Sequence, residues 1–351
     1  MQQKRGSVLL GLGCLLAMPL AEAASLQSCA AISENAQRLR CFDELARDQG
    51  PLLAANTVAL QPAAVAAPAP QAAPAASESA PVSPLAERWE VDAESKRGVW
   101  SFRPHKTNYL LFGRYSDRVN ERPFSPYLHA NVAEAQGLDA TEAKFQLSFK
   151  TKVHQDLLGS GADLWFGYTQ QNNWQLYNKG ISAPFRETDY EPELFVTVPT
   201  DYRLLGLRGR FLNVGFVHQS NGQSRPLSRS WNRLYAQAGF EIGDDFSLLL
   251  KPWYRIKESA DSDDNPGINR YVGDFEAEAS YRFGAQRLTL IGRSTWDAKR
   301  GFAQLDWTFP LLEKQKLKGY VQFTTGYGES LIDYNHRQNT IGFGVLLTDW
   351  M

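Results

Sequence analysis

Beyond its N-terminus the sequence has no apolar run long enough to cross a bilayer as a helix, which excludes a helical span there. It also has almost no net charge. Against 37 Lys and Arg stand 38 Asp and Glu, leaving −1, so neither a polyanion nor a nucleic acid is indicated as a partner. Cysteine is scarce, with 3 in 351 residues, and Cys14 falls in the N-terminal apolar stretch. A mean hydropathy of −0.39 reads at first as that of a soluble chain. A membrane β-barrel gives the same average, because its strands alternate lipid-facing with lumen-facing residues. Aromatics are plentiful, at 14 Tyr, 19 Phe and 9 Trp, as the interfacial girdles of such a barrel require.

The first residues predict a secretory signal over 1–24. Lys4 and Arg5 give the positive start, Val8 to Leu20 the apolar core, and Ala21-Glu22-Ala23 the small-residue cleavage site. Gly11 stands three places before Cys14 where a lipoprotein signal would carry leucine. Removal of the signal leaves Cys29 and Cys41, which in an exported chain read as one disulfide. Residues 25–49 then form a small periplasmic unit, a short helical pair stapled by that bridge. Ile32, Leu39 and Leu45 are too few to build a core. Residues 50–85 are rich in Ala and Pro and read as a disordered linker, leaving 86–351 for the main domain.

From about residue 106 a period of two takes over. Ala143, Phe145, Leu147 and Phe149 alternate with Lys144, Gln146, Ser148 and Lys150, and Phe275 to Phe283 repeat the pattern against Asp274, Glu276, Glu278, Ser280 and Arg282. About twelve such segments have the length that a tilted membrane strand needs. Long and short connections alternate: 115–141, 172–188, 221–231, 257–270 and 326–339 are long, while 154–160, Pro199-Thr200-Asp201, Gly243-Asp244 and Gly284-Ala285 are short. The expected fold is an all-β, 12-stranded antiparallel transmembrane barrel in the bacterial outer membrane. Its termini and N-terminal unit lie in the periplasm and its long loops outside. A final aromatic is usual in such barrels, and here Trp350 stands one place early, before Met351.

One block stands out within this pattern. Leu212, Val214 and Phe216 share a parity with His218 and Ser220, and after a polar loop Leu234, Ala236 and Ala238 share one with Asn232. Residues two apart on a strand lie side by side on one face, roughly 7 Å apart, and a hairpin brings Asn232 beside them. A hydroxyl, an imidazole and an amide on one surface make a nucleophile, a base and its orienter. Taken alone, His-Gln-Ser-Asn-Gly is a common way for a strand to enter a turn. The wider block from Gly215 through Ser224, Pro226 and Ser228-Arg-Ser-Trp-Asn-Arg-Leu-Tyr235 resembles the active-site segment of the outer membrane phospholipase A family. The resemblance covers roughly residues 105 to 351. It is dense at Tyr168-Thr-Gln, Pro184-Phe-Arg-Glu-Thr, Tyr190-Glu-Pro, Lys251-Pro-Trp-Tyr and Gly326-Tyr-Gly-Glu-Ser-Leu-Ile-Asp-Tyr-Asn.

That resemblance implies a calcium-dependent phospholipase of A1 and A2 type, active as a homodimer and idle as a monomer, with its site toward the outer leaflet. It implies Ser220, His218 and Asn232 as catalytic residues and Gly222 as the oxyanion donor. Calcium would be held by the Gln223 carbonyl, Ser228 and a neighbouring subunit's serine matched by Ser182, with Asp264 in the monomeric state. Gln170 shares a parity with Leu164, Phe166 and Tyr168. An amide facing lipid is costly without a partner, and in the family such glutamines pair across the dimer contact. The competing readings are a passive barrel, either a porin or a structural anchor, and an adhesin built on the long loops. Twelve strands leave a narrow lumen that Asp274, Glu276, Glu278, Lys144 and Lys150 could fill with ion pairs, which disfavours a porin.

Overall fold

The structure, a computed structural model, describes residues 26–53, 83–312 and 317–348. The expected signal segment, residues 54–82 of the expected linker, and Trp350 lie outside the described residues. The chain divides into two units, Met1–Ala76 and Ser77–Met351.

In the first unit, α1 (Leu26–Ala30) and α2 (Asn35–Leu53) are joined by the Cys29–Cys41 disulfide, with the two Cα atoms 5.5 Å apart. Cys29 is fully buried while Leu39 is exposed, so the bridge takes the place of a core. α2 continues to Leu53, past the expected boundary at residue 49.

The second unit opens on α3 (Pro84–Trp89), which straddles the expected boundary between linker and main domain at residue 85. Ser83 caps it, its Oγ accepting from Ala86 N at 3.0 Å, and Glu90 ends it in the left-handed region. There follow β1 (Phe102–Pro104) and β2 (Asn108–Ser116), then a small hairpin of β3 (Phe124–Ser125) and β4 (Ala130–Asn131). Long strands come next: β5 (Thr141–His154), β6 (Asp163–Trp174), β7 (Phe185–Leu204), β8 (Leu207–Ser220), β9 (Ser230–Ile242) and β10 (Phe246–Ile256). After α4 (Asn269–Val272) come β11 (Phe275–Phe283), β12 (Gln286–Ser294), β13 (Gly301–Leu312), β14 (Leu317–Tyr327) and β15 (Arg337–Thr348). Sequential neighbours from β5 to β15 pair antiparallel, β15 pairs with β2, and β2 with β5, so the sheet closes. β1 only extends the pairing along β5, which leaves the expected twelve staves.

Pro199-Thr200-Asp201, expected to be a turn, is strand. β7 runs through it with a register shift between Pro199 and Tyr202, and such an irregularity is where a strand tolerates proline. The turn is Leu205–Gly206, both with positive φ, as a two-residue hairpin loop of type I′ requires. A further connection at 295–300, absent from the sequence reading, joins β12 to β13.

The alternation sorts the two faces as expected. Val214, Phe216, Leu234, Leu290, Phe323 and Phe343 are exposed on the outside, while Lys144, Lys150, Asn213, Arg233, Asp306 and Gln322 are buried inside. Lys144 bonds Glu329 at 2.9 Å, and Glu142 binds both Arg114 and Arg186 at 2.9 Å. Glu278 meets Arg88 of α3 at 3.5 Å. Lys150, expected to be ion-paired, instead places its Nζ 3.4 Å from the centre of the Trp89 ring. Asp274 accepts from Asn269 beside α4 rather than joining the lumen network. Both mouths are covered. At the short-turn end α3 and its sequel are held by Ser83 to Glu241, Asp92 to Arg210 and Lys96 to Asp163. At the long-loop end, residues 328–336 fold inward onto Arg114, Arg186, Glu187 and Asp189.

Candidate active site

β8 ends at Ser220 and β9 begins at Ser230, at the long-loop end of the barrel. Their register pairs His218 with Asn232 and Ser220 with Ser230, and on the other side Tyr190 of β7 faces Ser220. Val217, between Phe216 and His218, is fully buried, so the parity puts His218 and Ser220 on the outward wall. His218 Nδ1 lies 2.9 Å from Asn232 Oδ1. Asn232 Nδ2 in turn donates to Glu258 Oε1 at 3.4 Å. Among the described residues Ser220 Oγ has no hydrogen-bond partner, so the hydroxyl is free to turn about χ1 toward the imidazole.

The polar loop 221–229 is organised by Asn221, a buried residue that sequence reasoning passed over. Its Oδ1 accepts from Gln223 N at 3.3 Å and Arg229 N at 2.9 Å, and its Nδ2 donates to Leu227 O at 3.0 Å and to Glu187 Oε1 at 3.1 Å. Asn side chains that bond the backbone two residues on are a standard way to fix a turn, so the Ser-Asn-Gly run carried a signal. Glu187 carried none: a carboxylate on the inward face of a strand looks like any other lumen charge. It also accepts from Gln223 Nε2 at 2.7 Å and from Ile332 N at 2.9 Å, tying the loop to the lumen plug. Gly222 sits at φ +65°, and a Cβ there would stand 3.1 Å from Tyr190 Cε2. The positive φ favours glycine, and a Cβ would also have to push the Tyr190 ring aside by a few tenths of an ångström.

Of the four expected cation ligands, the structure brings two into contact: Ser228 Oγ donates to Asp264 Oδ2 at 2.5 Å. Asp264 also receives Arg225 Nε at 3.5 Å. The Gln223 side chain is engaged with Glu187, and its carbonyl accepts no hydrogen bond among the described residues. Ser182 is exposed on the β6–β7 loop at φ +65°, with no contact to the other three. Gln170 faces outward but is not unpartnered. Its Oε1 accepts from Tyr168 OH at 3.0 Å and its Nε2 donates to Asn172 Oδ1 at 2.9 Å, so one donor and one acceptor are already satisfied.

A family model for phospholipase A1 matches residues 85–347. The chain belongs to that family. It is 40% identical to a putative phospholipase A1 of Neisseria meningitidis serogroup B, across 95% of this chain and 94% of the relative. Such coverage reaches N-terminal of the barrel, further than the resemblance read from the sequence. Phospholipase A1 of Escherichia coli K12 is 41% identical across 70% of this chain and 81% of its own. Among solved structures, a Salmonella typhi outer membrane phospholipase dimer with bound calcium is 37% identical, with a TM-score of 0.65 over 73% of this chain and 95% of that one. An E. coli outer membrane phospholipase A carrying an asparagine-to-alanine active-site mutation aligns with a TM-score of 0.64, at 36% identity, over 73% of this chain and 95% of that one. This barrel is therefore a phospholipase, a carboxylic ester hydrolase of the bacterial outer membrane.

Proposed function

We propose that this phospholipase hydrolyses the sn-1 and sn-2 acyl esters of phospholipids and lysophospholipids with Ser220 as nucleophile, His218 as base and Asn232 as orienter. Calcium and pairing of two subunits activate it. The observation that carries the reading is the 2.9 Å contact between His218 Nδ1 and Asn232 Oδ1 on the outward wall, two residues from Ser220. Asn232 Oδ1 can only accept, so it holds the proton on Nδ1 and leaves Nε2 free to take one. Ser220 Oγ adds to the ester carbonyl carbon as its proton passes to His218 Nε2. The tetrahedral centre collapses and expels the glycerol oxygen, which takes that proton from Nε2. Water, deprotonated by the same nitrogen, then adds to the acyl-serine, releases the fatty acid and restores the hydroxyl. Gly222 N–H is the main-chain donor to the developing oxyanion, and the missing Cβ lets the substrate approach.

The donor set fits a hard cation. Ser228 Oγ, the Gln223 carbonyl and Asp264 are all oxygen ligands, and no trio of His, Cys, Asp or Glu suited to a metal occurs among the described residues. In an active pair, Ser182 of the partner subunit would complete the set, while Asp264 serves a lone subunit. When bound, calcium supplies positive charge beside the developing oxyanion. The bound calcium and dimeric state of the Salmonella typhi relative support both parts of this reading. The outward site and the long loops at its end support an active site at the outer leaflet, with the N-terminal disulfide unit (25–49) in the periplasm beyond a linker. The deciding assay is fatty acid release from mixed micelles, with calcium or chelator, for wild type and Ser220→Ala. Release that ignores calcium, or that survives the substitution, would refute the corresponding part.

A further inference from the structure

An asparagine amide is almost symmetrical in shape, so nothing about its fit decides which end faces the histidine. The chemistry depends on it. With Nδ2 toward His218, Nδ1 would have to accept, the ring proton would move to Nε2, and that nitrogen could no longer take a proton from Ser220. A second contact must choose the orientation. Glu258 lies in the loop two residues beyond Ile256, the last residue of β10 and the strand partner of Asn232. Its Oε1 is 3.4 Å from Asn232 Nδ2. A carboxylate only accepts, so it draws the NH₂ end to itself and turns Oδ1 to the imidazole.

Glu258 is also uncommitted. The charged groups around it are Arg255 on β10 and Asp263 and Asp264 on its own loop; Asn232 and His218 face it from β9 and β8. Arg255 is taken by Asp263 at 2.6 Å, and Asp264 by Ser228 and Arg225. Among the described residues the half-buried Glu258 carboxylate forms no ion pair, and its side-chain partner is the Asn232 amide. We propose that Glu258 is a positioning residue: it fixes the Asn232 amide with Oδ1 toward His218, and it lends the pair the negative charge that asparagine lacks. This inference rests on the Ser220–His218–Asn232 reading and extends it by one residue.

The test compares Glu258→Ala, Glu258→Gln, Glu258→Asp, Asn232→Ala, Ser220→Ala and the Glu258/Asn232 double alanine variant. All are full-length protein in mixed micelles at saturating calcium, with kcat and KM measured across pH. A unit charge some 7 Å from the imidazolium at the protein surface is worth about tenfold in rate, so Glu258→Ala should lower kcat about tenfold with KM within about twofold. Glu258→Gln, close in shape, should lower kcat as well, and Glu258→Asp should recover part of the loss. In Ala and Gln variants the imidazolium loses a neighbouring negative charge and releases its proton more readily. The acid limb of the kcat/KM profile should therefore move to lower pH. Removing Glu258 from Asn232→Ala should cost less than it does in wild type, because the amide-orienting part of its effect has gone and only the part that its charge exerts across space remains. Wild-type kcat and an unmoved profile in Glu258→Gln, with Ser220→Ala inactive, would overturn this inference and leave the catalytic reading standing. So would losses that calcium raised beyond the wild-type saturating level restores, or full additivity with Asn232→Ala. Activity in Ser220→Ala would overturn the reading itself.

Discussion

Glu187→Ala tests whether the outward site is held from inside the barrel. The Glu187 carboxylate accepts from Asn221 Nδ2 at 3.1 and 3.3 Å, Gln223 Nε2 at 2.7 Å and Ile332 N at 2.9 Å. The alanine variant leaves these donors unequally placed. Asn221 keeps Leu227 O, and half-buried Gln223 can reach water, but Ile332 N is buried and loses its acceptor. Orphaning that N–H costs about 1–3 kcal/mol and weakening the two amide bonds about 0.5–1.5 kcal/mol each, so the loss of stability is on the order of 2–6 kcal/mol. The loop that Glu187 anchors carries Gly222 N–H and the Gln223 carbonyl. A displacement near 1 Å there lowers turnover by as much as about 10²-fold. Thermal unfolding in detergent, followed by tryptophan fluorescence, reads the first effect, and fatty acid release at saturating calcium the second. Glu187→Gln, which keeps one acceptor oxygen, should fall between wild type and alanine. If Glu187→Ala melted at the wild-type temperature and turned over at the wild-type rate, the coupling between plug and site would be wrong.

Ser228→Ala removes the hydroxyl that meets Asp264, and should raise the calcium needed for half-maximal activity with little effect at saturation; isothermal titration with calcium checks the same point. Asp333 supplies a pH dependence. Burial alone would raise its carboxyl, but the Arg186 guanidinium and hydrogen bonds from Asn120 and Ser330 outweigh that and hold it below the usual aspartate range. A depressed native pKa stabilises the fold above the unfolded value, near 4 for aspartate, and that stability fades as pH falls through the native value. Melting temperature should thus drop below about pH 4 in wild type and vary less there in Asp333→Asn. At neutral pH, Asp333→Asn should cost roughly 3–5 kcal/mol by leaving Arg186 without one of its buried partners. Gln170→Ala takes a partner from Tyr168 OH, while Asn172 Oδ1 keeps Thr188 Oγ1 at 3.1 Å, and it should reduce cross-linked dimer under activating conditions. An unchanged dimer fraction would remove Gln170 from the contact.

The barrel was legible because period two survives even where each strand's average hydropathy is unremarkable. The arrangement of the candidate site was legible because parity alone puts His218 beside Ser220, and a polar loop between two apolar runs puts Asn232 across from His218. What escaped has physical reasons. Proline and aspartate at 199–201 look like a turn, yet a register shift absorbs them and the chain turns four residues later. α3 escaped at the edge of the linker, since six residues have no helical period to detect. Its Trp89 gains meaning only beside Phe195 and Phe211, residues brought to it by other strands. Glu187 and Glu258 escaped for the same cause. Nothing local distinguishes a carboxylate that holds an asparagine from one that meets water.

The register of β8 against β9 decides whether this barrel can act on lipid at all. A slip of one residue would turn His218 and Ser220 into the lumen and Val217 and Gln219 out to the bilayer. The outward face offers little to prevent it, because apolar side chains against lipid tails discriminate weakly between registers. The inward face supplies the discrimination. Gln219 accepts from Trp231 Nε1 at 2.9 Å and from Arg233 at 3.0 Å, while Asn213 Nδ2 bonds Gln237 Oε1 at 2.9 Å. Val217 packs in a core cluster that includes Trp89, Phe211, Trp231 and Tyr235. Each of these contacts would be lost in a slipped pairing, and buried polar groups left unpaired are expensive. The polar and aromatic contacts of the lumen are thus what hold His218, Ser220 and Asn232 in phase on the outward wall.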